Sequence, residues 1–364
     1  MTIPLVDVRA QYAPLLDELE GRLAAVLESG RFILGPEVRA FEAEAAAYVG
    51  VGQCVGVANG TDAIVLVLDA LGIGPGDEVI CPAFTFYASA EAIARRGATP
   101  VFADIDPATL NLDPADVADR LGPRTKAILA VHLFGRPQAL AELPEAVPVV
   151  EDAAQAFGAT VRGKRVGSHG RAGTFSFFPT KNLFGLGDGG LVATDDPALA
   201  ERVRLLRFHG SRDKQVFELV GYNSRLDELQ AAALRLFLAR VDEWNEARRA
   251  AAARYAELGL GDVCELPRDE VGHVYHVYAV RTPERERMAS ALREAGIECA
   301  AYYSTPLHLQ PVFRELGYEP GSLPESERAA REVLALPLWP GIAVEQQEQV
   351  VAAIRSAVSV GAGA

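Results

Sequence analysis

No run of apolar residues in this 364-residue sequence approaches the roughly 18–20 that a membrane-spanning helix requires. The first twenty residues, MTIPLVDVRAQYAPLLDELE, lack the basic start and apolar core of a secretory signal, so a cytoplasmic protein is expected. Cysteine is scarce: Cys54, Cys81, Cys264 and Cys299 are far apart, form no CxxC and have no histidine set nearby. That usage fits small buried side chains in a reducing compartment and supports neither a disulfide framework nor a metal site. Positive charge is in deficit, with 35 Lys plus Arg against 49 Asp plus Glu and a formal net charge of −14. The balance excludes a nucleic-acid or anionic-membrane partner, though an anionic small molecule needs only a local basic pocket. The GxGxxG fingerprint of a dinucleotide fold is absent, which disfavours a nicotinamide dehydrogenase. There is also no internal repeat and no low-complexity linker, so any two parts of the chain should be packed together.

What is present is an alternation of short apolar runs with helical stretches. Leu15, Leu19, Leu23 and Val26 recur at helical spacing, and Pro36 opens a second helix that Gly50 ends. From Cys54 onward, CVGVA, EVICPA, TPVFADID, KAILAVHL and VPVVED read as buried strands. TDAIVLVLDALG, YASAEAIARRG and DPADVADRLG read as the helices between them, which implies an α/β fold with a mostly parallel sheet. GTFSFF and GLVATDD extend the sheet. One long helix is expected from an N-cap at Ser224 to about Leu258. Beyond it, GHVYHVYAVRT and ECAAYYST read as strands, with helices over ERERMASALREAG and VEQQEQVVAAIRSAV. The expected division is a large domain over residues 1–235 and a linker helix with a smaller C-terminal α/β domain over 236–364.

The chemistry concentrates around Lys181, in FSFFPTKNLFGLGDGG, between a strand and a glycine-rich return. A lysine emerging there is a candidate Schiff-base former. Asp152 closes the apolar run VPVVED, where open α/β sheets place ligand-binding residues. A carboxylate there can keep the ring nitrogen of pyridoxal 5′-phosphate protonated, and the pair together points to that cofactor as a covalently held electron sink. Gln155 follows within reach of the cofactor ring, and Ser176 can donate to its phosphate. Pro179 and Thr180 break the strand before Lys181, and Gly185, Gly187, Gly189 and Gly190 allow a tight return. The strand–turn–helix junction Asn59-Gly60-Thr61-Asp62 exposes backbone N–H groups at a positive helix end, a seat for phosphate.

The motifs EDAAQAFGA, FSFFPTKNLFGLGDGG and GYNSRLDELQAA, in that order, resemble those of the DegT/DnrJ/StrS family of sugar aminotransferases. The resemblance runs from PLVD near the start to YYSTPLHLQP near the end. It implies an aspartate-aminotransferase-like fold and a homodimer with shared active sites. Lys181 matches the lysine that holds the cofactor, Asp152 the ring-nitrogen partner, Gln155 the cofactor-facing amide and Ser176 a phosphate ligand. Gly60 and Thr61 match the phosphate loop, Phe86 the aromatic that stacks on the ring, and Asn223 an asparagine reaching the neighbouring subunit's phosphate. Tyr303 and His308 match a segment facing the substrate. Phe157 stands where many relatives carry histidine and is assigned no catalysis; Arg212 and Lys214 read as surface charge. The resemblance implies transfer of an amino group from L-glutamate to a nucleotide-linked keto-hexose, at C3 in preference to C4, without a metal. Rival expectations are a keto-cyclitol substrate, sugar dehydration, which the presence of Lys181 opposes, and a cofactor-binding regulator without turnover.

Overall fold

Proline at the start and glycine at the end bracket the N-terminal helices of the computed structural model, which describes residues 2–359. α1 (Val8–Tyr12) and α2 (Leu16–Ser29) precede α3 (Pro36–Val49), where Gly50 closes the last turn at φ 85°, a left-handed conformation that glycine adopts without penalty. Strands β1 (Gln53–Val57), β2 (Glu78–Pro82), β3 (Thr99–Ala103), β4 (Thr125–Val131) and β5 (Val149–Asp152) follow. A short hairpin, β6 (Thr160–Val161) and β7 (Lys164–Arg165), leads to β8 (Ala172–Ser176) and β9 (Gly190–Thr194). Apart from the hairpin these strands form one seven-stranded sheet in the order β1-β9-β8-β5-β4-β2-β3. Only β9 runs antiparallel to its neighbours, so the sheet is mostly parallel, as its near-continuous apolar strands imply.

Helices α4 (Gly60–Ala70), α5 (Ala88–Arg95) and α7 (Pro197–Arg207) cover one face, where Ile64, Leu66, Ile93 and Val203 pack against the sheet. On the other face lie α3, α6 (Pro114–Asp119) and α8 (Glu228–Leu238), with Phe41, Val117, Leu234 and Phe237 buried against the strands.

The long helix expected from Ser224 is two helices, α8 and α9 (Val241–Glu257). Ser224 is fully buried, and its Oγ accepts from the Ala58 N–H at 3.2 Å instead of capping a helix. The cap is Asp227, whose carboxylate accepts from the Gln230 N–H at 2.8 Å. The core of the large sheet continues past residue 235 through Phe237, Val241 and Trp244, and a separate C-terminal core begins only with Ala251 and Tyr255. Ile3 packs into this second core and bridges to Ile297, so the two ends of the chain meet there.

The C-terminal part holds β10 (Tyr278–Arg281) and β11 (Val333–Leu336), paired antiparallel, with α10 (Arg285–Glu294), α11 (Pro324–Glu332) and α12 (Val344–Ser359). Of the two strands expected there, GHVYHVYAVRT is extended into a sheet only at its end, and ECAAYYST is irregular apart from a bridge between Ala300 and Ala335. The reason is where their backbone bonds go. The Val274 and Val277 N–H groups donate to the Gly135 and Phe134 carbonyls, so residues 272–277 are fixed against a loop of the large sheet.

Candidate active site

β5 ends at Asp152, β8 ends at Ser176, and α4 begins at Gly60; these three termini converge on a cavity of about 840 Å³. Its far wall comes from the irregular C-terminal segments, through His276, Val277, Tyr302 and Tyr303. Sites at the carboxyl ends of parallel strands are the expected position in an open α/β sheet.

Asp152 is buried, with Oδ2 accepting from Ser89 Oγ at 2.7 Å and Oδ1 from the Ala154 N–H at 3.2 Å. Burial pushes its carboxyl above the usual range, while the Ser89 and Ala154 bonds and the charge of Lys181 pull it back. A protonated ring nitrogen brought against it would add a further pull toward the carboxylate.

Two residues after β8, the chain turns, and the Lys181 N–H donates to the Phe178 carbonyl at 2.8 Å. The turn aims the amine into the cavity. Burial lowers its pKa to about 8, with the charge of Asp152 acting in the opposite direction. A substantial neutral fraction near neutral pH is what a nucleophilic and proton-carrying amine needs. The glycine-rich return is required by close approach. A Cβ at Gly190 would lie 2.3 Å from the Asn59 carbonyl oxygen, and one at Gly185 would lie 2.7 Å from Gln230 Oε1.

At the start of α4 the Asn59 side chain accepts from the Asp62 N–H at 2.8 Å, and its carbonyl accepts from the Ala63 N–H. The N–H groups of Gly60 and Thr61 are left facing the cavity without a partner among the described residues. A Cβ at Gly60 would sit 2.6 Å from that of Ser176, so the Ser176 hydroxyl is held directly beside these donors. Two open N–H groups, a hydroxyl and a helix dipole make a phosphate cradle. Together with a buried amine and a buried carboxylate in the same cavity, this donor set fits pyridoxal phosphate.

Gln155 is fixed at both ends of its amide: Oε1 accepts from the Phe134 N–H at 2.8 Å and Nε2 donates to Tyr303 Oη at 3.0 Å. Phe86 lines the cavity while remaining 55 % exposed, with its ring 6.0 Å from that of Tyr303. The structure thus brings Lys181, Asp152, Gly60, Thr61, Phe86, Gln155, Ser176 and Tyr303 to one cavity.

Two expected residues are not there. His308 is buried outside the cavity lining, bonded through Nε2 to Glu327 Oε1 at 3.2 Å and packed on Tyr318. Asn223 also lies outside its own chain's cavity, bridged to Phe208. Phe157 is core, stacked on Tyr48 with centroids 5.2 Å apart. Arg212 pairs with Glu201 and Glu218 at the surface, and Lys214 lies over the Phe208 ring.

Reading the sequence missed Ser89, which bonds Asp152, and His276, whose Nε2 lies 3.3 Å from Lys181 Nζ. A serine within YASAEAIARRG and a histidine within an apolar segment carry no local mark of such roles.

Comparison with known proteins gives a consistent picture. The model of the DegT/DnrJ/EryC1/StrS aminotransferase family matches residues 15–355. A relative named pleiotropic regulatory protein, from Geobacillus stearothermophilus, is 49% identical over 96% of this chain and 97% of its own length. A dTDP-3-amino-3,4,6-trideoxy-alpha-D-glucose transaminase from Streptomyces venezuelae is 46% identical over 97% of this chain and 95% of its own. Among solved structures, S. venezuelae DesV in complex with a ketimine intermediate superposes with a TM-score of 0.95 at 45% identity, covering 98% of each chain.

Proposed function

Because the chain belongs to the DegT/DnrJ/EryC1/StrS aminotransferase family, we propose that it transfers an amino group from L-glutamate to a nucleotide-linked keto-hexose, at C3 in preference to C4, using pyridoxal 5′-phosphate. The observation that carries this reading is the meeting of Lys181, Asp152 and the open N-terminus of α4 in one cavity. Similarity to a 3-amino-sugar transaminase over nearly the whole chain supports the substrate class. A cavity of about 840 Å³ gives room for a cofactor and a sugar together.

When bound, the cofactor supplies an electron sink for the charge left as a proton leaves the amino-bearing carbon. The remaining work belongs to the chain. Gly60, Thr61 and Ser176 hold the phosphate, and Asp152, set by Ser89, holds the ring nitrogen in its protonated form. Gln155, clamped by Phe134 and Tyr303, meets the ring's polar edge, and Phe86 covers a face. Lys181 anchors the cofactor, is displaced by the donor's amine, and then carries a proton between the donor's Cα and the cofactor. With the keto-sugar as acceptor, it carries that proton back.

A homodimer working in the cytoplasm completes the proposal. Phe86 and Phe178 line the cavity and are half exposed, and Phe32, Ile33 and Leu186 are further exposed apolar side chains. A second copy covering this face would bury them and bring its Asn223 to the phosphate, which explains why that residue is absent from its own cavity.

The test is a visible spectrum of the purified protein reconstituted with pyridoxal phosphate and titrated with L-glutamate. Conversion of the pyridoxal band to a pyridoxamine band supports the first half-reaction. Keto-sugar nucleotides then follow, with the amino-sugar product read by mass spectrometry. Absence of any pyridoxal band would sink the cofactor assignment, and a band unmoved by glutamate would sink the donor.

A further inference from the structure

His276 is buried at the back of the cavity with one ring nitrogen, Nε2, 3.3 Å from Lys181 Nζ and the other, Nδ1, without a partner among the described residues. Its place is built with care. The Val274 N–H donates to the Gly135 carbonyl at 3.0 Å, and the Val274 carbonyl accepts from Asn182 Nδ2 at 2.9 Å. The Tyr275 carbonyl accepts from Arg248 Nη1 at 3.4 Å, and the Val277 N–H donates to the Phe134 carbonyl at 3.4 Å. Asn182 is the residue after Lys181, and its amide also donates to Asn245 Oδ1 at 2.7 Å. The lysine's own neighbour is therefore tied to the segment that carries the imidazole, and the two side chains are held in register.

We infer that His276 is a positioning residue that holds the Lys181 amine whenever that amine is free, in both of the protonation states the lysine passes through. The inference rests on the reading of Lys181 as the covalent anchor and proton carrier. As an ammonium, Lys181 donates to an Nε2 lone pair, and the ring's hydrogen sits on Nδ1. As a neutral amine, Lys181 accepts from Nε2–H, and Nδ1 is bare. Since Nδ1 bonds nothing in either arrangement, each tautomer leaves one unpartnered site, and neither is locked by a second hydrogen bond. The imidazole does not compete for the proton, because burial and the charges of Lys181 and Arg248 hold its pKa well below the ordinary value. It orients the carrier without becoming one.

Two amides separate this role from simple space filling. In His276→Gln the amide reaches the position of Nε2 and can accept or donate; in His276→Asn it reaches only the position of Nδ1. The expected result is that His276→Gln keeps kcat within a few-fold. His276→Asn is expected to lose about 100-fold in kcat, the scale of a misplaced reacting group, with KM for glutamate little changed. The deuterium isotope effect with Cα-deuterated glutamate should rise in the same variant. Equal kcat values and isotope effects for the two amides would overturn the inference. A readout independent of turnover is the long-range ¹H–¹⁵N spectrum of the histidines in protein loaded with pyridoxamine phosphate, which leaves the lysine free. The His276 Nε2 resonance, assigned by its loss in His276→Gln, should shift when Lys181→Ala is compared with the unmutated chain. An unmoved resonance would overturn the contact. Borohydride reduction of the pyridoxal-loaded protein followed by peptide mapping separates the two readings: label on another lysine refutes the Lys181 role, whereas label on Lys181 with indifferent His276 variants refutes only this inference.

Discussion

Glu151→Gln should cost the fold far more than an isosteric change at an ordinary position. The side chain is fully buried one residue before Asp152, and each carboxylate oxygen accepts two hydrogen bonds. Oε1 receives the N–H groups of His169 and Gly170 at 2.8 and 2.7 Å, and Oε2 receives the Gly167 N–H at 2.7 Å and His132 Nε2 at 2.9 Å. The His132 tautomer is set from the other side, because the Gln138 N–H donates to Nδ1 at 2.9 Å and leaves the hydrogen on Nε2. All four contacts are thus donors aimed at an acceptor. A glutamine can offer its oxygen to one pair only; its NH₂ then faces the other two donors. Turning the imidazole to the other tautomer would only move the clash to Gln138. Two donors left unpaired in a dry site cost roughly 1–3 kcal/mol each, so the expected destabilisation is about 4 kcal/mol. The measurement is the urea unfolding midpoint and slope of the two proteins at pH 7. A loss smaller than about 1 kcal/mol, a single ordinary hydrogen bond, would refute the reasoning. The pH dependence has a sign. Burial alone would raise the Glu151 carboxyl, but the His132 bond and the backbone N–H groups outweigh it and hold the group below the usual range. Its stabilisation is therefore full above the unfolded-state pKa and is lost as pH falls through the folded one, so the gap between the two proteins should close in acid.

Lys181, with burial lowering its pKa to about 8, should react with added pyridoxal phosphate in the cofactor-free protein along a titration centred near that pH. A midpoint near the 10.5 of an exposed lysine would contradict its burial. Gly190→Ala places a Cβ against the Asn59 carbonyl, backbone on backbone, which no rotamer change relieves. It should cost roughly 1–3 kcal/mol in unfolding free energy and weaken cofactor binding through the displaced start of α4; equilibrium dialysis with pyridoxal phosphate reads the second effect. His308→Gln should leave KM for the keto-sugar unchanged while lowering the thermal midpoint, since the ring bonds Glu327 outside the cavity. A raised KM with unchanged stability would return His308 to the substrate.

Which parts of this molecule could be read from its sequence follows from how far each contact reaches along the chain. The parallel strands showed themselves because burial on both faces makes them continuous apolar runs, and α3 because Pro36 and Gly50 bracket it. Lys181 and Asp152 stood out because their residue types are unusual at the ends of such strands. The break between α8 and α9 was hidden, since Ala239 and Arg240 are good helix formers and only tertiary packing turns the chain there. The C-terminal wall was misread for a related reason. GHVYHVYAVRT has the composition of a strand, yet half of it gives its backbone bonds to Phe134 and Gly135. Ser89 meets Asp152 across 63 positions, and His276 meets Lys181 across 95. A neutral imidazole among aromatic and branched neighbours has no local signature, and the chemistry assigned to it exists only through what the fold sets beside it. The sheet could therefore be located from periodicity and its anchor residues from type. The second half of the cavity, built from irregular backbone, is the part that decides how those anchors are held.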